Sequence, residues 1–119
     1  MVEPNPEPAA EKKEVWLGID LGTTNSCASY FEDGRCEMIQ MLEGKTTIPS
    51  YVQFKSKKNQ ILVGESAQKA INLELNNTIY DAKRLIGRYF DEDTVARDMK
   101  HWNFTVVKGR NNKPKFKVT

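Results

Sequence analysis

The sequence has few residues of the kinds that build metal, redox or membrane sites. It contains one histidine and two cysteines among 119 residues, too few at these spacings for a structural zinc site. No run approaches the roughly 20 apolar residues that a membrane helix needs, and the first residues lack the apolar core of a signal peptide. The sequence therefore predicts a soluble, cytoplasmic protein that does not contact a membrane.

An excess of charge of one sign is also missing. The chain has 18 lysines and arginines against 16 acidic residues, a net charge of +2. A charge this small does not favour nucleic-acid binding. The basic stretch 108–117 has Phe116 as its one interleaved aromatic residue, so we interpret it as a solvated hairpin. We predict no nucleic-acid partner.

The first fourteen residues, "MVEPNPEPAAEKKE", differ in composition from the rest. They hold three prolines, four glutamates and two lysines, and almost no side chain suited to a core. Such a composition cannot offset the conformational entropy that folding removes. We predict a disordered tail over residues 1–14 and one folded unit over residues 15–119.

The folded unit opens with a predicted meander of three antiparallel strands. The apolar run 15–19, "VWLGI", is typical of a strand buried on both faces. Residues 26–31 and 35–41 form a hairpin about Asp33-Gly34, a strong two-residue turn signal.

The hairpin register decides the state of the two cysteines. It places Cys36 opposite Phe31 and Cys27 opposite Gln40, so the cysteines lie on the order of 13 Å apart along the ladder. A disulfide needs Cα atoms within about 7 Å. We predict two reduced cysteines.

The hydrophobic period then changes from that of strands to that of helices. This change predicts a small α/β subdomain over residues 50–119. Its predicted strands are 51–54, 60–64, 104–107 and 115–118, and its predicted helices are 65–76, 80–86 and 92–100. Gly87 follows the second helix and suits a left-handed cap.

The stretch "GIDLGTT" has the composition of a phosphate site. It contains neither the P-loop pattern nor the dinucleotide-binding pattern. Gly22 permits a sharp turn, after which the amides of Gly22, Thr23 and Thr24 can converge on an anion. Asp20 can hold the accompanying magnesium, which favours one or two carboxylates and retained waters. A plain hairpin turn, with Asp20 capping its own backbone, explains the same residues equally well.

A family resemblance favours the phosphate site. "GIDLGTTNS" resembles the first phosphate motif of the 70-kilodalton heat-shock (DnaK-like) chaperones. "TTIPSYVQF", "VGESAQKAINLELNNTIYDAKRLIGR" and "DMKHWNF" resemble later stretches of the same family, in the same order. The resemblance implies an actin-like ATPase fold of ribonuclease-H-like ancestry, of which this chain would be part of lobe I.

The resemblance also implies roles for individual residues. The aspartate matching Asp20 holds magnesium through water, and the residues matching Gly22, Thr23 and Thr24 contact the β and γ phosphates. Thr23 would lie near the attacking water, and Lys83 would reach across the cleft to the γ-phosphate. Without the resemblance, Lys83 would be interpreted as a solvated helix lysine.

The residue after Thr24 is also predicted to contact the nucleotide, and it departs from many family members. Asn25 stands where many cytosolic eukaryotic members carry tyrosine, so we expect an altered contact on the phosphate side with the site retained.

The implied function is the N-terminal portion of an ATP-dependent folding chaperone. Its ligands would be ATP or ADP with Mg²⁺. In a full-length protein its partners would be unfolded client proteins, co-chaperones and nucleotide-exchange factors. The last strand stops at residues 118–119 without a closing turn or linker, so we expect a fragment of the ATPase domain, inactive alone and prone to self-association. Two alternatives remain: a short non-catalytic binding or regulatory module, and another actin-like ATPase or kinase.

Overall fold

The first sheet of the computed structural model is the predicted meander. The structure describes residues 14–41, 44–57 and 59–119, so nearly all of the predicted tail lies outside the described residues. Strands β1 (Trp16–Leu21), β2 (Asn25–Glu32) and β3 (Arg35–Met38) pair antiparallel in that order. The α/β class and the three-strand meander are confirmed.

The β2–β3 hairpin closes as its turn residues require. Glu32 pairs with Arg35, and Asp33 and Gly34 both have positive φ, at 50° and 77°. Two successive residues with positive φ form the type of turn whose twist matches that of the hairpin strands. Cys36 lies opposite Phe31 as expected. The β2–β3 ladder ends at Ser29 and Met38, before the expected Cys27–Gln40 pair, and on the other edge of β2 Cys27 pairs with Asp20 of β1. Both cysteines are free.

The expected burial of the first strand is wrong. Every residue of β1 is exposed, and Trp16 and Ile19 each retain 68% of their accessible surface. Among the described residues β1 pairs with β2 alone, and neither face is covered. Asp20, in the same strand, is therefore exposed as well.

A second body contains the remaining strands. Strand β4 (Ile48–Pro49), which the sequence did not predict, joins β2 and leads into this body. The other strands form a three-stranded sheet in the order β6-β5-β7 and a separate hairpin of β8 and β9. Their bounds are β5 (Val52–Lys55), β6 (Gln60–Val63), β7 (Thr78–Ile79), β8 (Thr105–Lys108) and β9 (Pro114–Lys117).

The helices are shorter than the sequence predicts. The predicted helix 65–76 is α1 (Glu65–Lys69) followed by 3₁₀ turns at Ile71–Leu73 and Leu75–Asn77. The predicted helix 80–86 is a 3₁₀ turn at Ala82–Leu85. The third, predicted over 92–100, is α2 (Asp93–Asp98) with a 3₁₀ turn at Met99–His101.

A buried glutamine accounts for the first of these interruptions. The Gln53 side chain is fully buried, and its amide donates to the Ala70 carbonyl at 2.8 Å and to the Thr78 hydroxyl at 2.7 Å. These bonds fix the chain just after α1, so a tertiary contact overrides the helical period.

The hydrophobic core lies in the second body. It comprises Ile79, Leu85, Val95, Trp102, Phe104 and Val106. Phe104 is its centre: the rings of Trp102, Tyr80 and Phe116 have centroids 5.1, 5.3 and 5.6 Å from it. These are favourable aromatic pair distances. In the described residues, no helix is both long and apolar enough to cross a membrane.

Candidate functional site

The loop between β1 and β2 is closed too tightly for any side chain at Gly22. A Cβ added there would overlap the carbonyl oxygen of Asn25, at a distance well below 3.0 Å, which real Cβ contacts essentially never show. The constraint is this close approach of two backbone segments, because Gly22 does not have a positive φ. The sequence analysis attributed Gly22 to a sharp turn, whereas the structure shows that glycine is required because the Asn25 carbonyl lies so close.

Ser50 holds this loop from the other side. Its hydroxyl donates to the Gly22 carbonyl at 2.8 Å, and its amide donates to the Thr24 carbonyl at 2.8 Å. Its oxygen also lies 2.9 Å from the Ser26 hydroxyl oxygen. Ser50 was missed as a site residue, because its partner Gly22 is 28 positions earlier and no local pattern marks the contact.

Lys83 lies on the 3₁₀ turn Ala82–Leu85 of the second body. Leu85 of that turn is buried in the core, whereas Lys83 is exposed. The turn begins after Asp81, which has a left-handed conformation with φ 55°. The Asp81 carboxylate accepts a hydrogen bond from the Trp102 indole at 3.4 Å and lies 3.8 Å from Arg84. The core and Asp81 together therefore fix the backbone that carries Lys83.

A cavity of about 390 Å³ joins the loop to this turn. Gly22, Thr23 and Ser50 line one side of it and Lys83 lines another. The structure thus brings together three of the predicted site residues from separate parts of the chain. Within residues 14–41, 44–57 and 59–119, Lys83 has no ion-pair partner, so its ammonium is available to an anion.

Two further cations line the same cavity, Arg88 and Lys113. Arg88 is paired with Glu92 at 3.2 Å, and the Lys113 ammonium lies 3.9 Å above the Tyr89 ring. The Tyr89 backbone N–H, and secondarily Arg88, hold the pKa of Glu92 below its usual value. Arg88 and Lys113 already have partners, which leaves Lys83 as the better anion ligand among the three.

The other predicted site residues do not line this cavity. Asp20 lines a separate cavity of about 280 Å³ together with Gly18, Cys27 and Ser29. Thr24 contributes its carbonyl to Ser50. Asn25 pairs with Pro49 of β4.

Asp20 is the one acidic side chain among the residues that line its cavity. The described residues contain no group of three histidine, cysteine or acidic side chains placed to hold a metal ion. Asp20 can therefore act as a single carboxylate ligand, and magnesium commonly keeps several waters and takes its remaining ligands from substrate phosphates.

A cluster of three charged side chains lies away from the cavity. Lys45 and Lys69 contact the Glu65 carboxylate at 2.7 and 2.9 Å. Hydrogen bonds from these two ammonium groups, Lys45 first, lower the pKa of Glu65 from 4.5 to about 2.

Comparison with known proteins identifies the family. A model of the Hsp70 protein family matches residues 16–119. The heat shock 70 kDa protein cognate 1 of Drosophila simulans is 48% identical over 103 residues, which cover 87% of this chain and 47% of that protein. The putative heat shock 70 kDa protein 7 of Homo sapiens is 48% identical over 106 residues, 89% of this chain and 28% of that protein.

A third relative is the heat shock cognate 70 kDa protein 3 of Dictyostelium discoideum. It is 44% identical over 103 residues, 86% of this chain and 16% of that protein. The chain thus spans less than half the length of these curated relatives. Because the family model covers nearly all of the described residues, the chain belongs to the Hsp70 family.

Proposed function

We propose that this chain forms one wall of the nucleotide site of an ATP-dependent folding chaperone, as the N-terminal portion of its ATPase domain. The observation that carries the proposal is the cavity shared by Gly22, Thr23 and Lys83. Phosphate oxygens suit this environment, because backbone amides of a tight loop and a lysine ammonium can both bind them. Lys83 has no ion-pair partner in the described residues.

Each residue would have a distinct role. The amides of Gly22, Thr23 and Thr24 would donate to the β- and γ-phosphate oxygens of ATP or ADP. The Thr23 hydroxyl would help to orient the attacking water. Lys83 would neutralise charge on the γ-phosphate, where phosphoryl transfer depends mostly on positioning and electrostatics.

Asp20 and Asn25 do not line this cavity and would act from outside it. Asp20 would hold Mg²⁺ through water, and the bound ion would neutralise phosphate charge. Asn25 has its backbone fixed by pairing with Pro49, so its side chain could alter one contact beside the phosphates without opening the loop.

Membership of the Hsp70 family argues against the alternative that this chain is part of another actin-like ATPase or a kinase. The remaining alternative, a non-catalytic binding module, is favoured by the exposed β1, a surface able to pair with another chain. In a full-length chaperone the partners would be unfolded clients, co-chaperones and nucleotide-exchange factors, and the compartment would be the cytoplasm.

A chimera tests the proposal directly. Residues 16–119 would replace the matching region of the Dictyostelium heat shock cognate 70 kDa protein 3, which is 44% identical to this chain. Single-turnover hydrolysis of Mg–ATP and equilibrium ATP binding would be measured for the chimera and for its Lys83→Ala variant. Lys100→Ala is the matched control, because Lys100 is exposed and does not line the cavity.

We expect Lys83→Ala to slow hydrolysis much more than it weakens binding. The contact would strengthen in the transition state, and losing one such contact costs on the order of 3 kcal/mol, about a hundredfold in rate. Lys100→Ala should hydrolyse ATP at the rate of the parent chimera. A chimera that binds no ATP, or that hydrolyses it equally well without Lys83, would overturn the proposal.

A further inference from the structure

We infer that Ser50 is the positioning residue of the β1–β2 loop: its hydroxyl sets the direction of the Thr23 amide. The identity of the anion that the Thr23 amide would bind rests on the proposed function. The role of Ser50 in ordering the loop does not. Ser50 bonds to the carbonyls of Gly22 and Thr24, the residues on either side of Thr23.

Counting protons fixes the direction of the hydrogen bonds. A serine hydroxyl has one proton and two acceptor lone pairs. The Ser50 proton goes to the Gly22 carbonyl at 2.8 Å. The Ser26 hydroxyl, 2.9 Å away, must then be the donor to Ser50. The three groups form a chain from Ser26 through Ser50 to Gly22, and each bond in such a chain polarises the next.

The anchored carbonyl determines where the next amide faces. A trans peptide is planar, so the C=O of one residue and the N–H of the following residue point in opposite directions. With its oxygen bound to Ser50, the Gly22 carbonyl forces the Thr23 N–H to face away from Ser50. That hydrogen bond therefore keeps the Thr23 amide free to serve as a donor to an anion.

The loop has little freedom to reach this geometry in another way. The Gly22 α-carbon is packed against the Asn25 carbonyl, with no room for even a methyl group. Strand β4 brings Ser50 to this position by pairing Ile48 with Ser26 and Pro49 with Asn25. A segment far away in the sequence thus delivers Ser50 to the loop, where its hydroxyl is the contact that holds the Gly22 carbonyl.

The test uses the isotope-labelled chain and variants at one position. Ser50→Ala removes the hydroxyl, while Ser50→Thr and Ser50→Val form a matched pair of similar shape that differ in having or lacking it. Ser26→Ala is a control that keeps the bond to Gly22. Order in residues 22–24 would be measured by the {¹H}–¹⁵N nuclear Overhauser effect, and anion binding by titration with inorganic pyrophosphate. Parent-like amide shifts at Val95 and Val106 would verify folding.

We expect Ser50→Ala and Ser50→Val to loosen residues 22–24, and Ser50→Thr and Ser26→Ala to retain the order of the parent. The dissociation constant for pyrophosphate should rise roughly tenfold in the two variants that lack the hydroxyl, the effect of one hydrogen bond. If Ser50→Ala does not fold, the Thr and Val pair gives the same comparison.

The remaining outcomes separate the two proposals. A loop that loosens without the hydroxyl, in a chain whose loop amides never respond to pyrophosphate, supports the role of Ser50 and counts against the proposed phosphate site. A loop that keeps its order in both Ser50→Ala and Ser50→Val overturns the role of Ser50, whatever the pyrophosphate titration gives.

Discussion

Replacing Gly22 with alanine should destabilise the first sheet. The added Cβ would lie inside the 3.0 Å floor for the Asn25 carbonyl oxygen, a backbone atom that cannot rotate away. Asn25 begins β2 and pairs with Pro49, so its displacement would strain both the β1–β2 and the β2–β4 pairings. Overpacking of this kind typically costs about 1–3 kcal/mol. At about 2 kcal/mol, amide exchange from the β1–β2 ladder would accelerate roughly thirtyfold.

Gly18→Ala is the matched control in the same strand. An added Cβ there would meet the Ser29 hydroxyl oxygen at 3.2 Å, and that side chain can turn aside. Alanine also loses less conformational entropy than glycine on folding. Native-state hydrogen exchange of the β2 amides that face β1, such as those of Cys27 and Phe31, measures both variants. If Gly22→Ala exchanges no faster than Gly18→Ala, the close approach does not constrain the loop.

Three other predictions concern metal dependence, pH and association. In the chimera, Asp20→Asn should weaken the magnesium dependence of ATP binding, which titration of ATP with and without Mg²⁺ would reveal; equal dependence in both proteins would exclude Asp20 as the ligand. Because the folded-state pKa of Glu65 is lowered to about 2, its ion pairs should contribute stability fully above about pH 4.5 and lose it as pH falls towards 2. The urea midpoint of Glu65→Gln should therefore approach that of the parent in acid, and a constant difference down to pH 2 would contradict this. The chain alone should turn over no ATP and should associate through exposed β1, so Ile19→Lys, a charge on an edge strand, should shift sedimentation towards monomer; an unchanged distribution would place association elsewhere.

Local signals in the sequence predicted local structure well. The Asp33-Gly34 turn was predicted because a two-residue turn with positive φ depends on the residues within it. Gly87 has the expected left-handed conformation, with φ 76°. These features need no information about distant parts of the chain.

Features decided by distant contacts were predicted poorly. Apolar composition predicted that β1 would be buried, yet burial depends on what covers a strand, and both faces are open here. The helix predicted after Gly64 is longer than the observed one, because the Gln53 side chain of β5 binds the Ala70 carbonyl and ends the helix.

The candidate site shows the same division. Its glycine and threonines could be found from a short motif, but Lys83 could be assigned only through the family resemblance, because nothing in its own helical pattern distinguishes it from a surface lysine. Ser50 could not be found at all, since its hydrogen bond crosses 28 residues.

The most direct test of the proposed phosphate site is a titration of the labelled chain with Mg–ATP at millimolar concentration, followed by two-dimensional NMR. The cavity predicts that shifts in the backbone amides concentrate at Gly22, Thr23 and Lys83, with weak affinity because one wall cannot enclose the nucleotide. Lys100, which is exposed and does not line the cavity, serves as an internal reference that should not respond. Shifts centred on Arg97, which lines a neighbouring cavity that also contains Arg88, or none at Gly22, Thr23 and Lys83 at saturating nucleotide, would contradict the proposed phosphate site.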